Sequence, residues 1–268
     1  MNTRSKTRPT ALITGASSGI GEALATCFAQ AGHNLVLVAR SEAKLRQQAA
    51  ALAAAHGIKA WVQVADLSQP GAAEKLAAAL RRARRPVDVL VNNAGVLEHG
   101  PFVKMDAWRH RELIDLNVVA LTEMLAQFVP PMVRRGRGRV LNVASIAAFQ
   151  PVPALATYAA TKAYVLSLTE SLSEELRGTG VTITALCPGI TETAMLSTAQ
   201  HQSGALRKLP RFVVGQAQAV AEEGFAACMA GEVVCVPGAL NLAATLAARA
   251  TPRWLLRRVS GALSKQLK

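Results

Sequence analysis

The sequence predicts a doubly wound α/β fold, a parallel sheet buried between two layers of helices. Three observations support this. From residue 10 to about 237, short Leu/Val or β-branched runs alternate with longer Ala-rich, charge-studded stretches, the pattern of repeated βα units. Half of the 268 residues (51%) are apolar but only 4% are aromatic, which favours helices on a buried sheet over a turn-rich sandwich. A glycine-rich turn follows the first strand pattern and opens a helix pattern.

In chain order the strand patterns cover 10–14, 34–39, 59–65, 87–91, 138–144, 181–187 and 232–236. Helix patterns cover 19–31, 41–55, 70–84, 106–134, 155–178 and 215–230, and these supply the crossovers that parallel strands require. Residues 191–214 mix Ser, Thr, Gly and Gln with scattered Leu and Met and show no period, so they read as a mobile loop suited to substrate recognition. After Val236, Trp254, Leu255, Val259, Ala262, Leu263 and Leu267 fall on one side of a helix and Arg257, Arg258, Lys265 and Lys268 fall elsewhere. The organisation expected is a basic arm at 1–9, one catalytic domain at 10–237 and an amphipathic helical extension at 238–268.

The net charge of +13 would suit a nucleic-acid partner, but its placement argues otherwise. Nine of the thirteen excess charges lie in residues 1–9 and 249–268, which contain no acid, while the body between them carries 21 basic and 17 acidic residues. Neither tail interleaves aromatics with its charge, so nucleic acid is not expected. The extension would pack on the body or a second subunit, or lie on an anionic membrane surface. The clusters at Arg81–Arg85 and Arg134–Arg139 sit at helix-to-strand transitions, where cations complement helix C-termini.

Cys27, Cys187, Cys228 and Cys235 have no metal or disulfide spacing and read as small buried hydrophobes; no metal site is expected. The apolar run after the basic start is too short for a secretory signal, and the uncharged run Val233–Ala248 has only 16 residues, interrupted by Pro237, Gly238 and Asn241. A cytoplasmic location is expected, with a surface membrane contact left open.

The turn Thr14-Gly15-Ala16-Ser17-Ser18-Gly19-Ile20-Gly21 leads into a helix, whose free N–H groups and dipole favour a pyrophosphate. Its spacing is Gly-x-x-x-Gly-x-Gly rather than Gly-x-Gly-x-x-Gly, and a plain tight turn is the alternative reading. The second strand ends in Ala39-Arg40, where an acid would otherwise bind the ribose hydroxyls of NAD. A guanidinium there pairs with a 2′-phosphate, which favours NADP(H) over NAD(H). Tyr158 and Lys162, four apart in a helix pattern, project from one face. A phenol with a pKa of about 10 needs a nearby ammonium to favour its phenolate. Ser145 follows the fifth strand at the carboxyl end, where open α/β sheets place their sites, and could hold a substrate oxygen. Individually, each of these three also reads as an ordinary surface or capping residue.

These motifs recur in the order of the short-chain dehydrogenase/reductases, which the chain resembles over nearly all of residues 10–237. The matching features are Thr14–Gly21, Asp66-Leu67, Asn92-Asn93-Ala94-Gly95, Asn117, Ser145, Tyr158-x-x-x-Lys162 and Pro188-Gly189. The resemblance implies a Rossmann fold with a seven-stranded sheet in the order 3-2-1-4-5-6-7 and a tetrad of Asn117, Ser145, Tyr158 and Lys162. It further implies that Lys162 holds the nicotinamide ribose and lowers the Tyr158 pKa, and that Asn117 anchors a relay water. Cofactor contacts are expected at Gly15, Ser17, Ser18, Gly19, Ile20, Gly21, Arg40, Asp66, Leu67, Asn93, Ala94, Gly95, Pro188 and Gly189. Asp66 would meet the adenine, and Thr191 and Thr193 the carboxamide.

The activity implied is NADP(H)-dependent hydride transfer to or from a ketone, aldehyde or secondary alcohol in a homodimer or homotetramer. Candidate pocket residues Leu97, His99, Phe149, Leu155, Met195 and Leu196 suggest a hydrophobic substrate, with 3-oxoacyl thioesters or steroids as alternatives. A non-catalytic NADP(H) sensor is the reading from another class.

Overall fold

A computed structural model describes residues 8–192 and 214–266, without the side chains of 259 and 262–266. Seven strands form one parallel sheet: β1 (Thr10–Thr14), β2 (Asn34–Ala39), β3 (Ala60–Val64), β4 (Val89–Asn92), β5 (Gly138–Val143), β6 (Val181–Leu186) and β9 (Val234–Cys235). Their order is β3-β2-β1-β4-β5-β6-β9, which with β9 as the seventh strand is the order expected. The crossovers are α1 (Gly19–Gln30), α2 (Glu42–His56), α3 (Ala72–Arg82), α4 (Ala107–Ile114) with α5 (Leu121–Arg134), α6 (Ala156–Glu175) and α7 (Ala217–Ala230).

Strand residues alternate between the two faces, so each strand feeds two cores. Leu12, Val36, Val38, Leu90, Val140 and Ile183 pack with α3, α5 and α6. Ala11, Ile13, Leu35, Leu37, Val91 and Leu141 pack with α1, α2 and α7. The near-continuous apolar runs that marked the strands are therefore a consequence of burial on both sides. Between β4 and β5 the sheet also carries a fully buried polar chain. Asn92 Nδ2 donates to Asn142 Oδ1 at 2.9 Å, and Asn142 Nδ2 donates to Thr169 Oγ1 at 2.9 Å, which fixes α6 against the sheet.

The expected helix 106–134 is interrupted by a π turn at Asp115–Ala120. Such turns widen the backbone spiral and occur most often at functional sites; here the turn carries Asn117. The run Ala107–Arg134 is long and apolar enough to cross a bilayer, but Leu121, Met124, Leu125, Phe128 and Met132 belong to the core beneath the sheet. The basic clusters act structurally. Arg135 donates to the Val87 carbonyl at 2.6 Å, Arg85 lies over the Trp61 ring at 4.3 Å, and Arg139 donates to the Cys228 carbonyl at 3.2 Å. All four cysteines are buried free thiols.

The irregular 191–214 segment begins and ends in a two-residue parallel ladder, β7 (Thr191–Glu192) with β8 (Gly215–Gln216); the rest lies outside the described residues. The C-terminal extension contains two helices, α8 (Ala239–Ala250) and α9 (Arg253–Gln266). Only the second had a visible amphipathic pattern in the sequence. The helix α8 was obscured because its packing face is narrow, formed by Asn241, Thr245 and Ala248, while its leucines point outward.

Candidate active site

The turn after β1 owes its shape to Thr14 and Asn93. Thr14 Oγ1 donates to the Val91 carbonyl at 3.2 Å and accepts from the backbone N–H groups of Asn93 and Ala94 at 2.9 and 3.0 Å. Asn93 Nδ2 returns to the carbonyls of Thr14 at 3.0 Å and Gly15 at 3.2 Å. The loops after β1 and β4 are thereby stitched side by side. Gly15 has φ +63°, and a Cβ there would come within 2.7 Å of Asn93 Nδ2. Gly21 faces the same junction, where a Cβ would overlap the Gly15 carbonyl.

A cavity of about 590 Å³ runs along the carboxyl ends of the strands. One end is lined by Arg40, Ser41 and Asp66, the middle by Gly15, Ser17–Ile20 and Asn93–Gly95, and the other end by Ser145, Tyr158, Lys162 and Pro188–Thr191. Burial opposes ionisation of Asp66, but hydrogen bonds from Ser68 and Gln69 and the nearby Arg40 charge hold its carboxyl below the usual carboxylate range. The Arg40 end is thus a polar, cation-bearing pocket. The middle presents the open N-terminus of α1, which suits a pyrophosphate. The size, the glycine turn and the cationic end fit an extended dinucleotide.

At the far end, Ser145 caps the short 3₁₀ turn Ile146–Phe149, accepting from the Ala147 N–H at 3.1 Å, and lines the cavity together with Tyr158. The capping role that the sequence offered for Ser145 is therefore present in the fold. Burial raises the Tyr158 phenol above its ordinary value, and only the nearby Ser145 hydroxyl opposes this. The expected lowering by Lys162 does not appear in the protein alone. Lys162 Nζ donates to the Val143 carbonyl at 2.8 Å and lies 5.8 Å from the Tyr158 ring centroid. Lys162 is itself lowered to about 8 by burial, against an opposing effect of Cys187.

Asn117 lies behind this end of the cavity. Its side chain is engaged by the backbone of Val96, with Oδ1 accepting at 2.9 Å and Nδ2 donating at 2.9 Å, and Nδ2 also donates to Thr161 Oγ1 at 3.2 Å. The amide thus braces the loop after β4. It brings Gly95 so close that a Cβ would lie 3.0 Å from Asn117 Oδ1 and 3.7 Å from Lys162 Nζ.

Of the pocket residues expected, Leu97 and Leu155 line the cavity; His99 and Phe149 do not. His99 sits on a half-buried loop, and Phe149 is half-buried against the core that holds α3, α5 and α6, with Arg249 5.8 Å from its ring. Thr193, Met195 and Leu196 lie outside the described residues. Val38, Ile146, Gln150, Val152 and Ile190 also line the cavity. They sit in strand ends and turns that converge only on folding, so no spacing marked them. Among the described residues no cluster of potential metal ligands occurs.

A buried charge reduces stability, which gives a direct expectation. Replacing Lys162 by Met in the cofactor-free protein raises stability at pH 7 by about 1–2 kcal/mol, after subtracting the loss at the Val143 carbonyl. The sign follows from proton binding. The folded pKa of about 8 lies below the unfolded value, so the unfolded chain binds more protons between the two, and wild-type stability rises across that window. The advantage of Lys162→Met should shrink above pH 8 in denaturant titrations, and a pH-independent difference would contradict the burial argument.

The family profile described as short chain dehydrogenase matches residues 9–204. The chain belongs to this family. It is 37% identical over 190 residues to a short chain dehydrogenase from Pseudocercospora fijiensis, covering 69% of this chain and 60% of that relative's length. Among solved structures it resembles a short-chain dehydrogenase from Sphingobium yanoikuyae in complex with NADPH, at 36% identity and TM-score 0.80, covering 90% and 93% of the two chains. It also resembles a bulky-bulky ketone specific alcohol dehydrogenase from Comamonas testosteroni, at 32% identity and TM-score 0.76, covering 90% and 92%. A Burkholderia phymatum family member in complex with NAD is similar at 29% identity and TM-score 0.78, covering 89% and 92%.

Proposed function

We propose that this protein is an NADP(H)-dependent reductase of hydrophobic ketones or aldehydes. The observation that carries the reading is the buried Tyr158 with Ser145 and Lys162 at one end of a cavity whose other end is Arg40. The cofactor, when bound, supplies the hydride. The chain supplies the rest. Arg40 holds the 2′-phosphate, Gly15–Ile20 and the α1 N-terminus hold the pyrophosphate, and Lys162 holds the nicotinamide ribose. Asp66 and Leu67 flank the adenine, and Pro188, Gly189 and Thr191 flank the carboxamide; Thr193 is proposed there by family analogy.

Ser145 orients the substrate oxygen, and Tyr158 donates the proton that it takes up. A phenol kept protonated by burial carries the proton that carbonyl reduction takes up. Asn117 acts as a positioning residue, through Val96 and the π turn. The walls beside Tyr158 come from Val96, Leu97, Ile146, Val152, Leu155 and Ile190, which favours an apolar substrate. Self-association is part of the reading, supported by exposed Ile114, Val119 and Tyr164.

The test is NADPH and NADH oxidation across ketones, aldehydes, 3-oxoacyl thioesters and steroids. Arg40→Asp should lower kcat/KM with NADPH by about 10²-fold and leave NADH equal or better, since a buried or paired charge contact contributes about 1.5–3 kcal/mol and the carboxylate adds repulsion. Equal loss with both cofactors would overturn the assignment of Arg40. Binding of both cofactors with no turnover on any substrate would favour a sensor.

A further inference from the structure

We propose that the outer face of α8 and α9 docks on the surface of an anionic lipid bilayer. The helix α8 packs on the body through one stripe, Asn241, Thr245 and Ala248, spaced at i, i+4 and i+7. Its leucines are not on that stripe. Leu240, Leu242 and Leu246 are 62%, 45% and 56% exposed, and Trp254 and Leu255 at the start of α9 are 55% and 39% exposed. Packing against the body, one of the two alternatives for this segment, therefore leaves five of its described large apolar side chains uncovered.

Charge identifies the occupant. From Val233 to Lys268 the chain contains no acidic residue and six basic ones: Arg249, Arg253, Arg257, Arg258, Lys265 and Lys268. A second copy placed symmetrically on this face would bring two acid-free segments with six cations each together, against the single Glu223 carboxylate beside the start of α8, which Coulomb repulsion disfavours. A nucleic acid would satisfy the cations but leave five large apolar side chains in water. An anionic bilayer satisfies both, because phosphates meet the guanidinium groups while leucines and an indole enter the headgroup boundary. Arg258 already lies over the Trp254 ring at 5.6 Å, so apolar and cationic groups are presented together.

The position of this face gives it a use. Asn241 abuts Gly189, where a Cβ would meet its amide at 2.6 Å, and Arg249 lies over Phe149 on the turn that follows Ser145. Docking through α8 and α9 places the substrate end of the cavity next to the bilayer, where apolar carbonyl compounds concentrate. That use rests on the proposed reductase activity; the docking itself does not.

The experiment is co-sedimentation of the full chain with phosphatidylcholine vesicles, with and without about 30 mol% phosphatidylglycerol, at low and high salt. The wild type should sediment with the anionic vesicles only and be released by high salt. The triple variant Arg253→Gln, Arg257→Gln, Arg258→Gln should partition on the order of 100-fold more weakly, and Leu242→Ser with Leu246→Ser should also weaken binding. Unchanged melting temperatures and NADPH binding in both variants would separate these losses from misfolding. Absence of wild-type binding to anionic vesicles would overturn the proposal. So would a dimer that the leucine variants split while vesicle binding persists, or binding to DNA without binding to vesicles. Vesicle binding by a chain without reductase activity would retain the docking site and remove only the proposed use.

Discussion

Tyr158→Phe is expected to lower kcat for NADPH-dependent carbonyl reduction by on the order of 10³-fold while leaving fold and cofactor affinity intact, as loss of a general acid commonly costs 10²–10⁴-fold. The substitution removes one oxygen and keeps the ring that packs with Leu113, Ala147 and Ala159. The partner left behind, Ser145 Oγ, still accepts from Ala147 N–H, so no buried group is orphaned. The effect should therefore fall on kcat rather than on NADPH affinity or melting temperature. Single-turnover kinetics together with a thermal scan separate these. A variant that retains wild-type turnover on its best substrate would remove Tyr158 from the reaction.

The second large effect concerns Gly21→Ala. A methyl group there would overlap the Gly15 carbonyl and the Asn93 amide, the two groups that hold the β1 and β4 loops together. Neither can yield without breaking the Thr14–Asn93 stitching, so the turn must shift away from β4 and the α1 N-terminus with it. Overpacking of this kind costs about 1–3 kcal/mol in stability, and the displaced N–H groups should weaken NADPH binding by at least about 10²-fold. Gly100→Ala is the control: it has an ordinary φ, nothing lies within 4 Å of the added carbon, and it should change neither quantity. Intrinsic fluorescence titration and melting curves report both. Wild-type affinity in Gly21→Ala would mean that the turn does not set the dinucleotide site.

Much of the architecture was legible because its signals are local. The strand runs, the crossover helices and the Gly15–Gly21 turn each occupy contiguous residues, and periodicity or glycine content marks them directly. Tyr158 and Lys162 were legible as a pair for the same reason, being one helical turn apart. The π turn at Asn117 was not, because the residues around it continue a helical pattern and the distortion follows from the docking of its amide onto Val96. Gln150 and Ile190 were invisible as cavity walls because each is an ordinary residue in a turn. Phe149 read as a wall because it is apolar and near Ser145, but in the fold it packs against the core, with Arg249, a hundred residues away, over its ring.

The charge states show the same division. From sequence, Lys162 beside Tyr158 implies a depressed phenol. In the fold the ammonium is committed to the Val143 carbonyl and both groups are desolvated, so burial moves the phenol up and the ammonium down. Short-range pattern and motifs in fixed order were enough for the order of strands and helices along the chain, the family, the glycine turn and the residue types at the site. Which of those residues share a cavity, the direction of their pKa shifts and the exposure of Leu240, Leu242 and Leu246 emerge only once the chain is folded. Burial and electrostatic environment are set by neighbours that are distant in the chain.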